Sequence, residues 1–88
     1  MNIAVELNVL PAKNALIVLA KGFGLAGYGS TKDIALKSLL QAIRVWCNAV
    51  DSNAQLGEEL QRRGVQYERG DSSEIRIRYR FETEVKEK

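Results

Sequence analysis

Arg76, Arg78 and Arg80 stand at two-residue spacing, which on an extended strand places three guanidiniums on one face in a row about 14 Å long. Such a row can track phosphates or pair with carboxylates on a partner. It serves equally as a solvated sheet face, neutralised by glutamates on a neighbouring strand and guarding an edge against aggregation. Tyr28, Tyr67 and Tyr79 are the tyrosines available as stacking platforms beside them, a thin supply for nucleic-acid binding.

The residues that usually carry catalysis are missing or isolated. The chain has no histidine, so the commonest general base and the commonest metal ligand are absent together. Cys47 is the only cysteine. It has no imidazole to activate it, lies in an apolar helical run and reads as a small core residue in a reducing, cytoplasmic setting. Trp46 falls on the same apolar stripe. Glu58 and Glu59 are adjacent, so they diverge on a helix and form neither a metal site nor an acid/base pair. No catalytic, cofactor-binding or metal-binding residue is assigned, and a non-enzymatic role is expected.

Two glycine-rich phrases invite a nucleotide reading. Gly22-Phe23-Gly24-Leu25-Ala26-Gly27 spells G-x-G-x-x-G between a strand and a helix. In a dinucleotide fold the glycines open the helix directly, whereas here the capping signal at Ser30-Thr31 comes three residues later, and no second βαβ unit follows. Gly24 to Thr31 approaches a phosphate loop, but Ser30 occupies the lysine position, so the main electrostatic clamp is gone. The glycines read instead as bends or bulges in a short strand.

The elements follow from periodicity. Ile3, Val5, Leu7 and Val9 alternate as a strand, Pro11 to Asn14 reads as a turn, and Ala15 to Ala20 reads as a strand buried on both faces; together they predict an antiparallel hairpin. Ser30 or Thr31 caps a long helix, about 30 Å if it runs from Thr31 to Val50, whose apolar stripe is Leu36, Leu39, Leu40, Ile43, Trp46, Cys47 and Val50. Asp33 suits its positive end. Asp51-Ser52-Asn53 breaks it, and Ala54 to Arg63 forms a short second helix closed by Gly64. Val65 and Tyr67 begin an extended segment, and Gly70 to Ser73 turns the chain. Ile75, Ile77, Tyr79, Phe81 and Val85 then alternate with charged residues in the cleanest strand pattern of the sequence. Residues 83–88 are expected to fray.

Eighty-eight residues, 45% hydrophobic and 27% charged, make one ordinary domain. The expected class is α+β, in the order β-β-β-α-(α)-β, with one small sheet and a long helix packed on one face. The net charge of +2 is too small to mark a committed nucleic-acid binder. No apolar run approaches the ~20 residues that span a bilayer, and no signal peptide is evident.

From Gly24 to Trp46 the chain resembles the HicB antitoxin family and its HicB-like relatives. The phrase that carries the resemblance is Gly27-Tyr28-Gly29-Ser30-Thr31-Lys32-Asp33-Ile34-Ala35-Leu36, continuing to Ala42-Ile43 and an aromatic at Trp46, with Gly24 opening the third strand. The match runs without a gap over about a quarter of the chain, and the preceding hairpin agrees in kind. Lys21 to Gly24 replaces the family's usual Pro-x-Leu-Pro-Gly approach, the acidic residue inside the helix is shifted to Asp33, and no ribbon-helix-helix or helix-turn-helix domain is expected. The resemblance implies a partial RNase H-like fold without the catalytic acids. It implies a protein that binds and masks a small HicA-type mRNA-cleaving toxin, and that forms a homodimer or a higher oligomer.

Overall fold

The computed structural model describes residues 1–50, 53–69 and 74–83. In chain order the elements are β1 (Asn2–Ala12), β2 (Ala15–Ala20), β3 (Leu25–Gly29), α1 (Lys32–Asn48), α2 (Asn53–Arg62), β4 (Gln66–Glu68) and β5 (Arg76–Thr83). The expected α+β order therefore stands, with β4 added where Val65 and Tyr67 pointed to extended chain. The anticipated turn at Gly70 to Ser73, the break at Asp51-Ser52, and residues 84–88 lie outside the described residues; Thr83, placed in the frayed tail, belongs to β5.

The five strands form one sheet around β1. β2 pairs antiparallel along Leu7–Ala12 and β4 pairs antiparallel along Asn2–Ala4, while β5 runs parallel to β1 from Asn2 to Asn8. A strand has two edges, so β2 and β4 share one edge of β1 end to end and β5 takes the other. β3 pairs with β2 and closes that side. A parallel return needs a long crossover, which the two helices and β4 supply.

Alternation on β1 sorts its side chains: Ile3, Val5, Leu7 and Val9 are buried, and most of the residues between them are half-buried. The inward set meets Leu39 and Ile43 of α1 and Leu56 and Leu60 of α2, all under 2% exposed, in one core. α1 starts on the Thr31 cap, whose Oγ1 accepts the Ile34 N–H at 3.2 Å. α2 ends in a Schellman turn: Val65 N–H donates to Leu60 O and Gly64 N–H to Gln61 O, with Gly64 at φ +73°. Val65 and Leu60, both buried, make the apolar contact that accompanies this turn.

Three local expectations are corrected. Pro11 sits inside β1, paired with Leu16, and the loop is Lys13-Asn14 alone, with Asn14 at φ 59°. A proline is tolerated there because, among the described residues, β5 pairs with β1 no further than Asn8, so the edge away from β2 asks nothing of it. β2 is buried on one face only: Val18 and Ala20 are covered, while Ile17 and Leu19 on the other face are half-buried. Of the two roles expected of the glycines, the bulge is overturned, since the β2–β3 register runs unbroken from Leu16–Gly29 to Ala20–Leu25, and the bend stands. Gly22 (φ +87°) and Gly24 (φ +68°) shape the β2–β3 turn, and Gly27 lets α1 lie against β3.

Candidate functional site

The face of the sheet away from the helices is the part of the molecule with chemistry to offer. Its polar half is built by β1 and β5 in register. Asn2, Ala4 and Glu6 stand beside Arg76, Arg78 and Arg80 respectively. The three arginines share this face and are exposed, as their spacing required. Arg80 reaches Glu6 Oε1 at 3.2 Å and Arg76 lies 3.7 Å from Glu74. Arg78 has no ion pair among the described residues. Neutralisation by neighbouring glutamates therefore accounts for two of the three.

Two further cations join the row. Lys21, just past the end of β2, bridges Glu6 at 3.6 Å and Glu82 at 3.8 Å. Arg63, just past α2, borders the same open groove of about 760 Å³, whose lining includes Ala4, Glu6, Lys21, Arg78 and Arg80. Arg63 is largely committed to structure. Its Nη1 donates to the carbonyls of Gly22 and Phe23 at 3.3 and 3.4 Å, its Nε lies 3.6 Å from Glu59, and its guanidinium stacks 5.1 Å over Trp46. Trp46 in turn meets Phe23 edge-to-face at 5.1 Å. Trp46 is thus half-buried at the core's rim, under a cation. Neither Lys21 nor Arg63 carries a local signal in the sequence, because each reaches the groove through long-range pairing.

The other half of the face is apolar. β2 and β3 place Ile17 beside Tyr28 and Leu19 beside Ala26, and the hairpin puts Leu10 beside Ile17. Leu10 is 44% exposed and Tyr28 62%. Apolar side chains gathered on one uncovered face are more informative than the same residues scattered singly.

Glu6 is the electrostatic centre of the polar half. Its hydrogen bond with the Glu82 carboxyl holds its pKa below the ordinary value, desolvation opposes this, and the charges of Lys21 and Arg80 add to the lowering. A carboxylate so stabilised is a poor proton acceptor near neutrality, which makes Glu6 an anchor for cations rather than a general base. Burial pushes the Cys47 thiol up, with Arg44 opposing, so the thiolate a nucleophile requires is disfavoured. No three of the acidic or sulfur side chains cluster in a metal-binding arrangement among the described residues. The nucleotide-like phrase divides between a turn and β3, and α1 begins only at Lys32, so its glycines open no helix.

No protein-family model matches the chain, and neither a curated protein nor a solved structure matches it. Fold and site together define a small α+β domain with one face of its sheet left open. Among the described residues, no helix is long and apolar enough to cross a membrane.

Proposed function

We propose that the chain is a non-catalytic, cytoplasmic protein-binding module of HicB-like kind, and that it captures a small partner protein on the open face of its sheet. The partner the resemblance implies is a HicA-type mRNA-cleaving toxin, masked by being held. The observation that carries the reading is that open face, where Leu10, Ile17, Leu19 and Tyr28 form an apolar half beside a half lined by Lys21, Arg78 and Arg80. An apolar patch rimmed by polar groups is the ordinary anatomy of a protein interface. The order of strand, strand, glycine-bearing strand and capped helix supports the resemblance in kind.

Tagged protein recovered from its source cells should bring down a small protein whose RNA cleavage the chain suppresses when the two are mixed. Leu10→Ser with Tyr28→Ala, both at exposed positions, should weaken that capture by about tenfold or more while leaving the circular dichroism spectrum unchanged. Recovery of the chain alone at native concentration would overturn the reading.

A nucleic-acid-binding domain is the second reading, favoured by Arg78, which has no ion pair among the described residues, beside Arg76 and Arg80. It requires affinity that falls steeply with salt. A gel shift unchanged when all three arginines become Ser would reject it.

A further inference from the structure

Across the polar half of the open face the sheet has a hollow. Ala4 of β1 pairs with Gln66 of β4 on one side and with Arg78 of β5 on the other, and paired residues share a face. The row Gln66–Ala4–Arg78 therefore lies on the open face. Its two long side chains start about 10 Å apart, two strand spacings, with only a methyl group between them. Two open grooves, of about 760 and 720 Å³, meet here and share Ala4, Gln66 and Arg78 in their linings. The pairing of β4 stops at Ala4 and that of β2 starts at Leu7, so the hollow opens sideways between the two strand ends, where Gly64 puts no side chain in the way.

The charges around the hollow decide what it takes. Of the cations bordering the larger groove, Lys21 and Arg80 are held by Glu6, Lys21 also by Glu82, and Arg63 by Glu59. Arg78 has no ion pair among the described residues, so the surplus is its single charge. One carboxylate matches that surplus, and the planar guanidinium fork meets a carboxylate with two parallel hydrogen bonds. The Gln66 amide, from the far side, is a second donor to the same group. A phosphate dianion would bring a further negative charge toward Glu6 and toward Glu68, which pairs with Asn2 at the other end of the hollow. A nucleic-acid strand carries a charge on every nucleotide and asks for rings on which its bases stack. Arg76 and Arg80 are already paired, and Tyr67 and Tyr79 stand opposite Ile3 and Val5, on the helix side of the sheet.

The hollow is also within reach of the apolar half. Along β1, Asn8 beside Leu19 is four residues from Ala4 and Leu10 beside Ile17 is six, about 13 and 20 Å. Both fall within one contact patch of ordinary size, about 800 Å² a side. We infer that the hollow over Ala4 is an anchor site for one acidic side chain of the captured protein, an aspartate or glutamate held by Arg78 with Gln66 across from it. The inference rests on the protein-binding reading and adds the chemistry the partner must present, a carboxylate set about 13–20 Å from its apolar contact. Arginine is among the residues that most often dominate the energy of a protein contact, and a forked carboxylate is its natural counterpart.

Two measurements test it. On the chain alone the probes are N-acetylglutamate α-amide, which carries one carboxylate, its uncharged glutamine counterpart, and inorganic phosphate. Each is added at constant ionic strength while the magnetic resonance signals of the Arg78 Nε–H and the Gln66 side-chain amide are followed. The carboxylate should move both signals to saturation, the uncharged counterpart should move neither, and phosphate should bind no more tightly than the carboxylate. Ala4→Leu fills the hollow and keeps every charge, and it should weaken carboxylate binding at least about tenfold with an unchanged circular dichroism spectrum. Arg78→Lys keeps the charge, loses the fork and should weaken binding too. If Ala4→Leu disturbs the sheet, Gln66→Ala, at an exposed position, takes its place and should weaken binding about threefold. Signals that never saturate, binding unaltered in these variants, or phosphate bound about tenfold more tightly would overturn the inference. The second measurement is capture of the partner, which Ala4→Leu and Arg78→Gln should each weaken about tenfold. Capture that survives both, yet is lost with Leu10→Ser and Tyr28→Ala, overturns the inference and leaves the protein-binding reading standing. Recovery of the chain alone overturns that reading and the inference with it.

Discussion

At Gly27 a side chain has nowhere to go. A Cβ built there would lie 2.1 Å from the Ala35 carbonyl oxygen and 2.6 Å from the Leu39 nitrogen, both helix backbone, which cannot swing aside. Gly27→Ala must push α1 off β3, and overpacking of this sort should cost about 3 kcal/mol. A loss below about 1 kcal/mol in denaturant unfolding would show that the helix–sheet distance is not set here. Glu6 makes a different prediction. Its folded pKa lies below the 4.5 of an ordinary glutamate, because of Glu82 first and then Lys21 and Arg80. Its contribution to stability is therefore whole above pH 4.5 and is lost as pH falls through the folded value. Glu6→Gln should flatten the acid limb of the stability profile below pH 4.5, and a profile parallel to the parent's would contradict this assignment. Cys47, 3% exposed with its thiol pKa raised by burial, should react with an aromatic disulfide only as fast as the chain opens. Rapid stoichiometric labelling of the native protein would place it elsewhere.

The elements hold together through their ends. Thr31 supplies one acceptor to the first turn of α1, and Thr31→Ala should cost about 1 kcal/mol. Arg63 fastens the β2–β3 turn to the end of α2 with two carbonyl bonds and a stack on Trp46. Arg63→Lys keeps the charge but loses the planar fork, and thermal unfolding should report most of the loss seen in Arg63→Ala, about 1–2 kcal/mol. If Lys restores full stability, charge alone suffices and the clamp is misread. These ends also mark what the sequence makes legible. Alternation on β1 and β5 and the three- and four-residue spacing on α1 announce those elements, because each pattern is local. Pro11 and the second face of β2 are not legible, since both depend on where a neighbouring element stops. The direction of β5 is hidden for the same reason. Alternation tells which side chains share a face and says nothing of which edge a strand joins or which way it runs.

As a whole the molecule is long for its size. Its radius of gyration is 13.7 Å, against about 12 Å for a compact chain of this length. The extents of 44 × 20 × 19 Å have one long axis. A slender body has much surface for its core, and with α1 and α2 contributing to one core on one side of the sheet the other face remains uncovered. The candidate site shows the same limit of local reading. The arginine row lies within one strand and is visible in the spacing. Lys21 and Arg63 join it only because β2, β4 and β5 all pair with β1. The open face makes a prediction at this scale, because whatever binds the folded chain and not the unfolded one stabilises it by mass action. If the proposed partner is held on that face, the melting temperature of the chain should rise as the partner is added in excess. Leu10→Ser with Tyr28→Ala should remove most of the rise, since both side chains stand exposed on the apolar half. A rise of the same size in that variant would place the contact away from the apolar half, and the exposed pair would be incidental to binding.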